Sequence, residues 1–285
     1  MWILYAFGSA FFAGITAILA KIGIKNVDSN LATAIRTIVI LIFSWLMVFI
    51  VGSFNTMVNL TTKTLVFLIL SGISTGMSWL CYFKALQLGN VNKVTPIDKS
   101  STILTMILAM IFLGESITLF KVISIILIGI GTYLMIEKKD DNKQEKDNKW
   151  LIFAFASAIF ASLTSILGKV GIEGVESNLG TAIRTIVVLI MAWLVVFVTK
   201  KQGEIKSVDK KSWKFLLLSG LTTGLSWLCY YKALQDGQAS IVVPIDKLSI
   251  LVTIAFSYII LKERLKKKSI MGLILIVIGT LLLLI

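Results

Sequence analysis

The chain is written twice. Shifted by 148 positions, residues 1–137 fall on residues 149–285 without a gap, and about 65 of the roughly 137 aligned pairs are identical. Thr33-Ala34-Ile35-Arg36-Thr37-Ile38-Val39 recurs as Thr181-Ala182-Ile183-Arg184-Thr185-Ile186-Val187, and Pro96-Ile97-Asp98-Lys99 recurs as Pro244-Ile245-Asp246-Lys247. Any fold must therefore be one that two sister units, 1–137 and 149–285, build together, with 138–148 as the connector. That connector is rich in Lys, Asp, Glu and Asn and reads as a flexible, solvated linker.

With 57% hydrophobic residues, 15% charged residues and a mean hydropathy of +0.92, the chain is no ordinary soluble domain. The first unit holds five apolar segments, at about 2–23, 30–51, 64–86, 94–113 and 117–136. The second repeats them at about 150–171, 178–199, 212–234, 242–261 and 266–285. Each is near the ~20 residues that cross a ~30 Å hydrocarbon core as a helix. Helix is required, because a lipid-exposed backbone must satisfy its own hydrogen bonds. The alternating strands of a membrane β-barrel are absent from the sequence. The expectation is an all-α membrane protein of ten transmembrane helices in two five-helix repeats. The first segment has no basic flank and recurs in mid-chain, so it is read as a span and not as a cleaved signal peptide.

An odd number of crossings per unit starts the second unit on the opposite face. The repeats are then inverted, with a working site between them near mid-membrane. Basic residues matched between repeats lie on opposite faces and carry no orientation signal. Lys21/Lys169, Arg36/Arg184, Lys63/Lys211, Lys84/Lys232 and Lys99/Lys247 cancel in this way, which removes 10 of the 28 basic residues. Of the 18 left, 17 fall on one face: Lys25, Lys93, the linker lysines up to Lys149, the 200–214 loop and the 262–268 loop. Lys121 alone opposes them. The positive-inside rule makes the loops that carry these 17 charges cytoplasmic and puts both termini outside the cell membrane. These lysines sit in short loops between spans, so no nucleic-acid partner is expected.

Histidine is absent from the chain, which removes imidazole relays, His-based metal sites and serine triads. No phosphate-cradling GxxxxGK[ST] loop occurs. Neither an enzyme nor a cofactor or metal site is expected. Cys81 and Cys229 are repeat mates inside spans and read as small apolar residues, not as a disulfide.

Ionisable residues inside spans are functional candidates, because charge is costly in lipid. Arg36 and Arg184 lie about two turns into segments 2 and 7, where the alternative is snorkelling to headgroups. Segments 4 and 9 begin with the chain's two prolines, Pro96 and Pro244, each followed by Asp-Lys. Helix-start chemistry could explain that pattern, as could the interrupted spans that mark a transporter's site. Inversion gathers Arg36, Lys84, Asp98 and Lys99 at the cytoplasmic end, and Arg184, Lys232, Asp246 and Lys247 at the outer end. The expectation is two equivalent gates, each an aspartate paired with Arg or Lys, of nearly equal closing energy.

Segment 3 carries Ser71, Thr75, Ser78 and Tyr82 along one side beside Trp79, and segment 8 repeats them as Ser219, Thr223, Ser226 and Tyr230 beside Trp227. These form a candidate substrate lining, although cross-helix hydrogen bonding would use the same hydroxyls. Gly72-xxx-Gly76 and Gly220-xxx-Gly224 read as close-packing faces. Glu115 and Glu263 read as solvated loop residues.

The run Trp-Leu-Cys-Tyr-x-Lys-Ala-Leu-Gln-x-Gly followed by Pro-Ile-Asp-Lys, at 79–99 and 227–247, resembles the EamA family of the drug/metabolite transporter superfamily over essentially the whole chain. It is similar to a subgroup of half-length, five-helix proteins that pair antiparallel, here joined in one chain. The resemblance implies a secondary carrier of small metabolites, often an exporter of amino acids, with helices 1–4 of each half around the cavity and helices 5 and 10 peripheral. The fused pair would work as a monomer. The excess of basic over acidic groups in the two clusters favours a solute bearing a carboxylate or phosphate, such as an amino acid. A cationic-drug efflux carrier is the near alternative, and a non-transporting membrane scaffold is a third.

Overall fold

The computed structural model describes residues 1–24, 27–88, 94, 97–135, 149–256, 258–259 and 266–285. Lys25, Lys93, Pro96, the linker 138–148, and Lys262, Glu263 and Arg264 lie outside them, as do parts of segments 4 and 9. Among the described residues the chain is helical, with no strand. The first unit contributes α1 (Trp2–Gly23), α2 (Ser29–Val51), α3 (Thr62–Leu88), α4 (Ser101–Phe112) and α5 (Leu119–Met135). The second contributes α6 (Lys149–Gly171), α7 (Ser177–Val198), α8 (Lys210–Asp236), α9 (Ala239–Lys247), α10 (Ser249–Phe256) and α11 (Lys267–Leu281).

Seven of these stretches are long and apolar enough to cross a bilayer, with Leu119–Met135 as a shorter apolar helix. The 27-residue α8 is long enough as well, but its lysines and its row of hydroxyls dilute the apolar character. Side chains such as Phe11, Ile42, Phe49, Ile126, Ile190 and Phe197 stand exposed along the helices. An aqueous surface would not carry so broad an apolar cover, whereas lipid tails would meet it. The protein is a multi-pass membrane protein.

Local chemistry sets the helix limits. Asp28 caps α2 by accepting from Asn30 N at 2.9 Å and Leu31 N at 3.1 Å. Its repeat mate Glu176 caps α7 with the longer side chain, accepting from Asn178 N at 2.9 Å and Leu179 N at 3.1 Å. Each cap satisfies amide donors that have no partner within the helix. Gly52 ends α2 in the left-handed region at φ 75°, which suits a residue without a Cβ.

The two units interlock and do not stand side by side. α1 packs along α8, and the equivalent pair, α6 along α3, repeats the contact. Repeat mates also meet each other. Val48 near the end of α2 packs with Leu179 and Ala182 near the start of α7, while Leu31–Ile35 pack with Ala192 and Val196 near its end. The contacts run in opposite order, so α2 and α7 are antiparallel. The pair α5 and α11 behaves likewise: Gly279 lies against Leu127 and Ile128, and Gly131 against Gly272 and Ile276. Equivalent helices running antiparallel across a common interface are what inversion of one unit relative to the other requires.

Glycine makes this approach possible. A Cβ on Gly131 would lie 2.6 Å from Gly272 O, so α5 and α11 touch backbone to backbone. A Cβ on Gly72 would lie 2.7 Å from Val187 Cβ, and one on Gly220 would lie 2.7 Å from Val39 Cβ. The two glycine faces therefore seat α7 and α2 respectively, in keeping with the small-xxx-small pattern.

Candidate functional site

Where the two units meet, a cavity of about 320 Å³ opens in the interior. Its walls come from α1 (Ala13), α3 (Thr75, Ser78, Trp79), α6 (Ala161, Thr164, Ser165), α7 (Arg184), α8 (Ser226, Trp227, Tyr230, Tyr231) and α9 (Asp246, Lys247). Both repeats contribute, so neither could form the chamber alone.

Arg184 dominates one wall and is 1% exposed. Its Nη2 donates to Thr75 Oγ1 at 2.8 Å and its Nε to Ser71 Oγ at 3.3 Å, which ties α7 of the second unit to α3 of the first. The guanidinium carbon lies 4.5 Å from the Tyr231 ring centre and 5.2 Å from that of Trp227. Two aromatic faces and two hydroxyls thus hold the cation where lipid cannot. Snorkelling is excluded for this residue. Its mate Arg36 donates from Nη2 to Thr223 Oγ1 at 2.7 Å, while its Nε is buried without a hydrogen-bond partner among the described residues.

The hydroxyls of the stripe are divided between the chamber wall and hydrogen bonds to backbone, one across helices and one within α8. Thr75, Ser78 and Ser226 face the chamber, while Ser71 donates to Thr164 O at 2.8 Å and Thr223 to Ser219 O at 2.7 Å. Trp79, Trp227 and Tyr230 are chamber walls, and Tyr82 and Ser219 are not among the lining.

The expected aspartate–cation pairs are not formed, which corrects the gate reading. Ser157 Oγ donates to Asp98 Oδ1 at 2.8 Å, and Ser9 Oγ donates to Asp246 Oδ1 at 2.6 Å. Among the described residues no Lys or Arg nitrogen lies within 4.0 Å of either carboxylate. Each serine also meets a stripe hydroxyl: Ser9 with Ser226 at 3.3 Å and Ser157 with Ser78 at 3.4 Å. A hydroxyl completes a carboxylate's hydrogen bonding without bringing a second charge into the interior. Asp246, Lys247 and Arg184 line the central chamber, not a separate outer mouth, and Lys99 lies within electrostatic reach of both Asp98 and Lys247. Lys84 is exposed and Lys232 pairs with Asp236 at 3.1 Å on its own helix, a solvent-screened contact outside this group.

Sequence reasoning also missed a second polar cluster. Glu115, read as a solvated loop residue, has a side chain only 6% exposed and accepts from the backbone of Ala239 at 2.6 Å and Ser240 at 3.0 Å. Lys121, counted above as the one basic residue opposing the others, is buried 3.9 Å from it. Ser9 and Ser157 were visible as identical repeat mates, but a lone serine in an apolar span looks like packing. Tyr231 had a clearer signal, since its mate is Phe83 and the pair breaks the repeat beside Arg184.

The chain matches the EamA-like transporter family over residues 1–137 and again over 148–285. Over 134 residues it is 40% identical to an uncharacterised transporter of a Sinorhizobium species, covering 47% of this chain and 95% of that one. A protein of Methanocaldococcus jannaschii is 30% identical over 133 residues, covering 47% of this chain and 94% of its own. Both relatives are therefore about one repeat long. A crystal structure superposes on 99% of the chain and 96% of its own length, with a TM-score of 0.79 and 14% identity, a likeness of fold alone. With both repeats matched, and with the two units interlocked about one chamber, the chain belongs to the EamA-like transporter family.

Proposed function

We propose that this protein is a secondary carrier that moves a small carboxylate-bearing solute, of the size of an amino acid, across the cell membrane by alternating access. The observation that carries the reading is Arg184 on the wall of a chamber made by both units. A guanidinium fixed by Thr75, Ser71 and two aromatic rings is preorganised to meet a carboxylate, with Lys247 as a second cation nearby. The volume of about 320 Å³ suits a small metabolite, and the aromatic walls suit an apolar portion of it.

In this reading ten spans form the bundle and the fused repeats act as one monomer. The charge-rich loops and the linker face the cytoplasm and both termini face outward, with export as the direction of flux. The inverted units exchange roles, so Arg36, Asp98 and Lys99 face the chamber when it opens the other way. A cationic solute is the second reading, favoured by Asp246, whose carboxylate lines the chamber with no cation partner among the described residues.

Purified protein in liposomes distinguishes these. A carrier gives saturable uptake that is accelerated by substrate loaded on the opposite side. Uptake competed by carboxylates and not by organic cations supports the first reading, and the reverse supports the second. Absence of counterflow with every panel member, in protein that still melts cooperatively, contradicts the carrier assignment itself.

A further inference from the structure

We infer that Glu115, Lys121 and the amino end of α9 form a latch that holds one end of the chamber shut. The inference rests on the alternating-access reading above. Glu115 leaves the corner between α4 and α5 and accepts from the backbone of Ala239 and Ser240, as well as from the Ser240 hydroxyl. It thereby caps the helix that carries Asp246 and Lys247. Lys121 on α5 stands 3.9 Å from Glu115 and donates to Gln238 Oε1 at 2.7 Å, with both charged side chains about 5% exposed.

From the second unit Lys169 donates to Leu234 O and Gly237 O at the end of α8, and Gln235 donates to Ile172 O and Val175 O. Trp2 lies under Gly237, where an added Cβ would be 2.8 Å from its ring. Parts of both units are tied together at this one end, so it cannot open unless the first unit's Glu115 and Lys121 part from the second unit's α9. A carboxylate left buried without its lysine would carry an uncompensated charge, which is what makes the closure firm.

The repeat does not reproduce these atoms. The position equivalent to Lys121 is Ser269, and those equivalent to Gln238 and Ser240 are Asn90 and Asn92. In place of Lys121 the second unit carries the basic run Lys262, Arg264, Lys266, Lys267 and Lys268 around Glu263 in sequence. The pairing of Glu115 with Lys121 is thus particular to this end, and the chamber rests closed on the latch side. By the charge distribution that side is the outer one.

The test uses a single reporter, Ala161→Cys, on the chamber wall of a full-length chain carrying Cys81→Ala and Cys229→Ala. Membrane vesicles of both orientations are treated with an impermeant methanethiosulfonate. Without further change, labelling is expected to be about tenfold or more faster from the side opposite the latch. Lys121→Ser, which gives this end the residue of its mate, should raise latch-side labelling about tenfold, and the volume-conserving Glu115→Gln should do the same. One-sided labelling that neither variant alters, or fastest labelling from the latch side in the parent, overturns the latch and leaves the carrier reading intact. Equal labelling from both sides in the parent also overturns the latch, since a carrier with two equally populated states gives it, whereas protection from both sides in every variant overturns the carrier reading.

Discussion

Arg184→Ala is expected to lower the transport rate at subsaturating substrate about 100-fold, since a charged hydrogen bond to a buried partner contributes about 3 kcal/mol and each ~1.4 kcal/mol is tenfold. The side chain does two things at once. It supplies the cation on the chamber wall, and it joins α7 to α3 through Thr75 and Ser71. Arg184→Lys should not restore activity. A lysine keeps the charge but cannot donate in a fork to two hydroxyls while stacked between Trp227 and Tyr231. Arg36→Ala should also impair transport, because inversion gives it the same task in the opposite state. Initial uptake into proteoliposomes, corrected for folded protein, measures all three. Unchanged rates in both alanine variants would remove the arginines from the mechanism.

Gly72→Leu carries the second large effect, on assembly. A Cβ there would be 2.7 Å from Val187 Cβ and 3.0 Å from the Arg184 carbonyl oxygen, and the rest of the leucine has to fit beyond it. The neighbour includes backbone, which no rotamer change can move aside. Either α3 and α7 separate or the chain fails to close, and overpacking of this kind costs about 1–3 kcal/mol or more. Because Val187 lies within a turn of Arg184, any separation also displaces the guanidinium from Thr75. A lower melting midpoint with reduced yield of monodisperse protein is expected, and the equivalent Gly220→Leu should behave alike against Val39. Wild-type melting in both variants would show that the glycine faces are not the contact described.

Much of the fold was legible because the chain states it twice. α1 and α2 begin within a residue of their apolar segments, and the glycine pairs pointed to the close faces that seat α7 and α2. Arg184 was legible as a charge too deep in a span to be decorative. The partners of the charges were not. Asp246 takes its hydrogen bond from Ser9, 237 residues away, and Asp98 from Ser157, 59 residues away. A rule that pairs a buried carboxylate with the nearest cation cannot foresee a hydroxyl arriving from the other repeat. Glu115 and Lys121 were hidden for a related reason. Both flank a corner that reads as a loop in one dimension, and only the interlocking of units brings that corner onto α9. The repeat also concealed an exception of its own: Tyr231 for Phe83 is a single difference within a long identity.

The inversion of the two units is tested most directly by labelling a pair of repeat mates in the loops after the second span of each. Val58→Cys and Lys206→Cys, both exposed positions, are introduced singly in the chain lacking Cys81 and Cys229. An impermeant maleimide applied to intact cells should label the first at once and the second only after permeabilisation. If both react from the same side, the units are parallel, and a chamber that opens alternately to two faces through equivalent halves is ruled out.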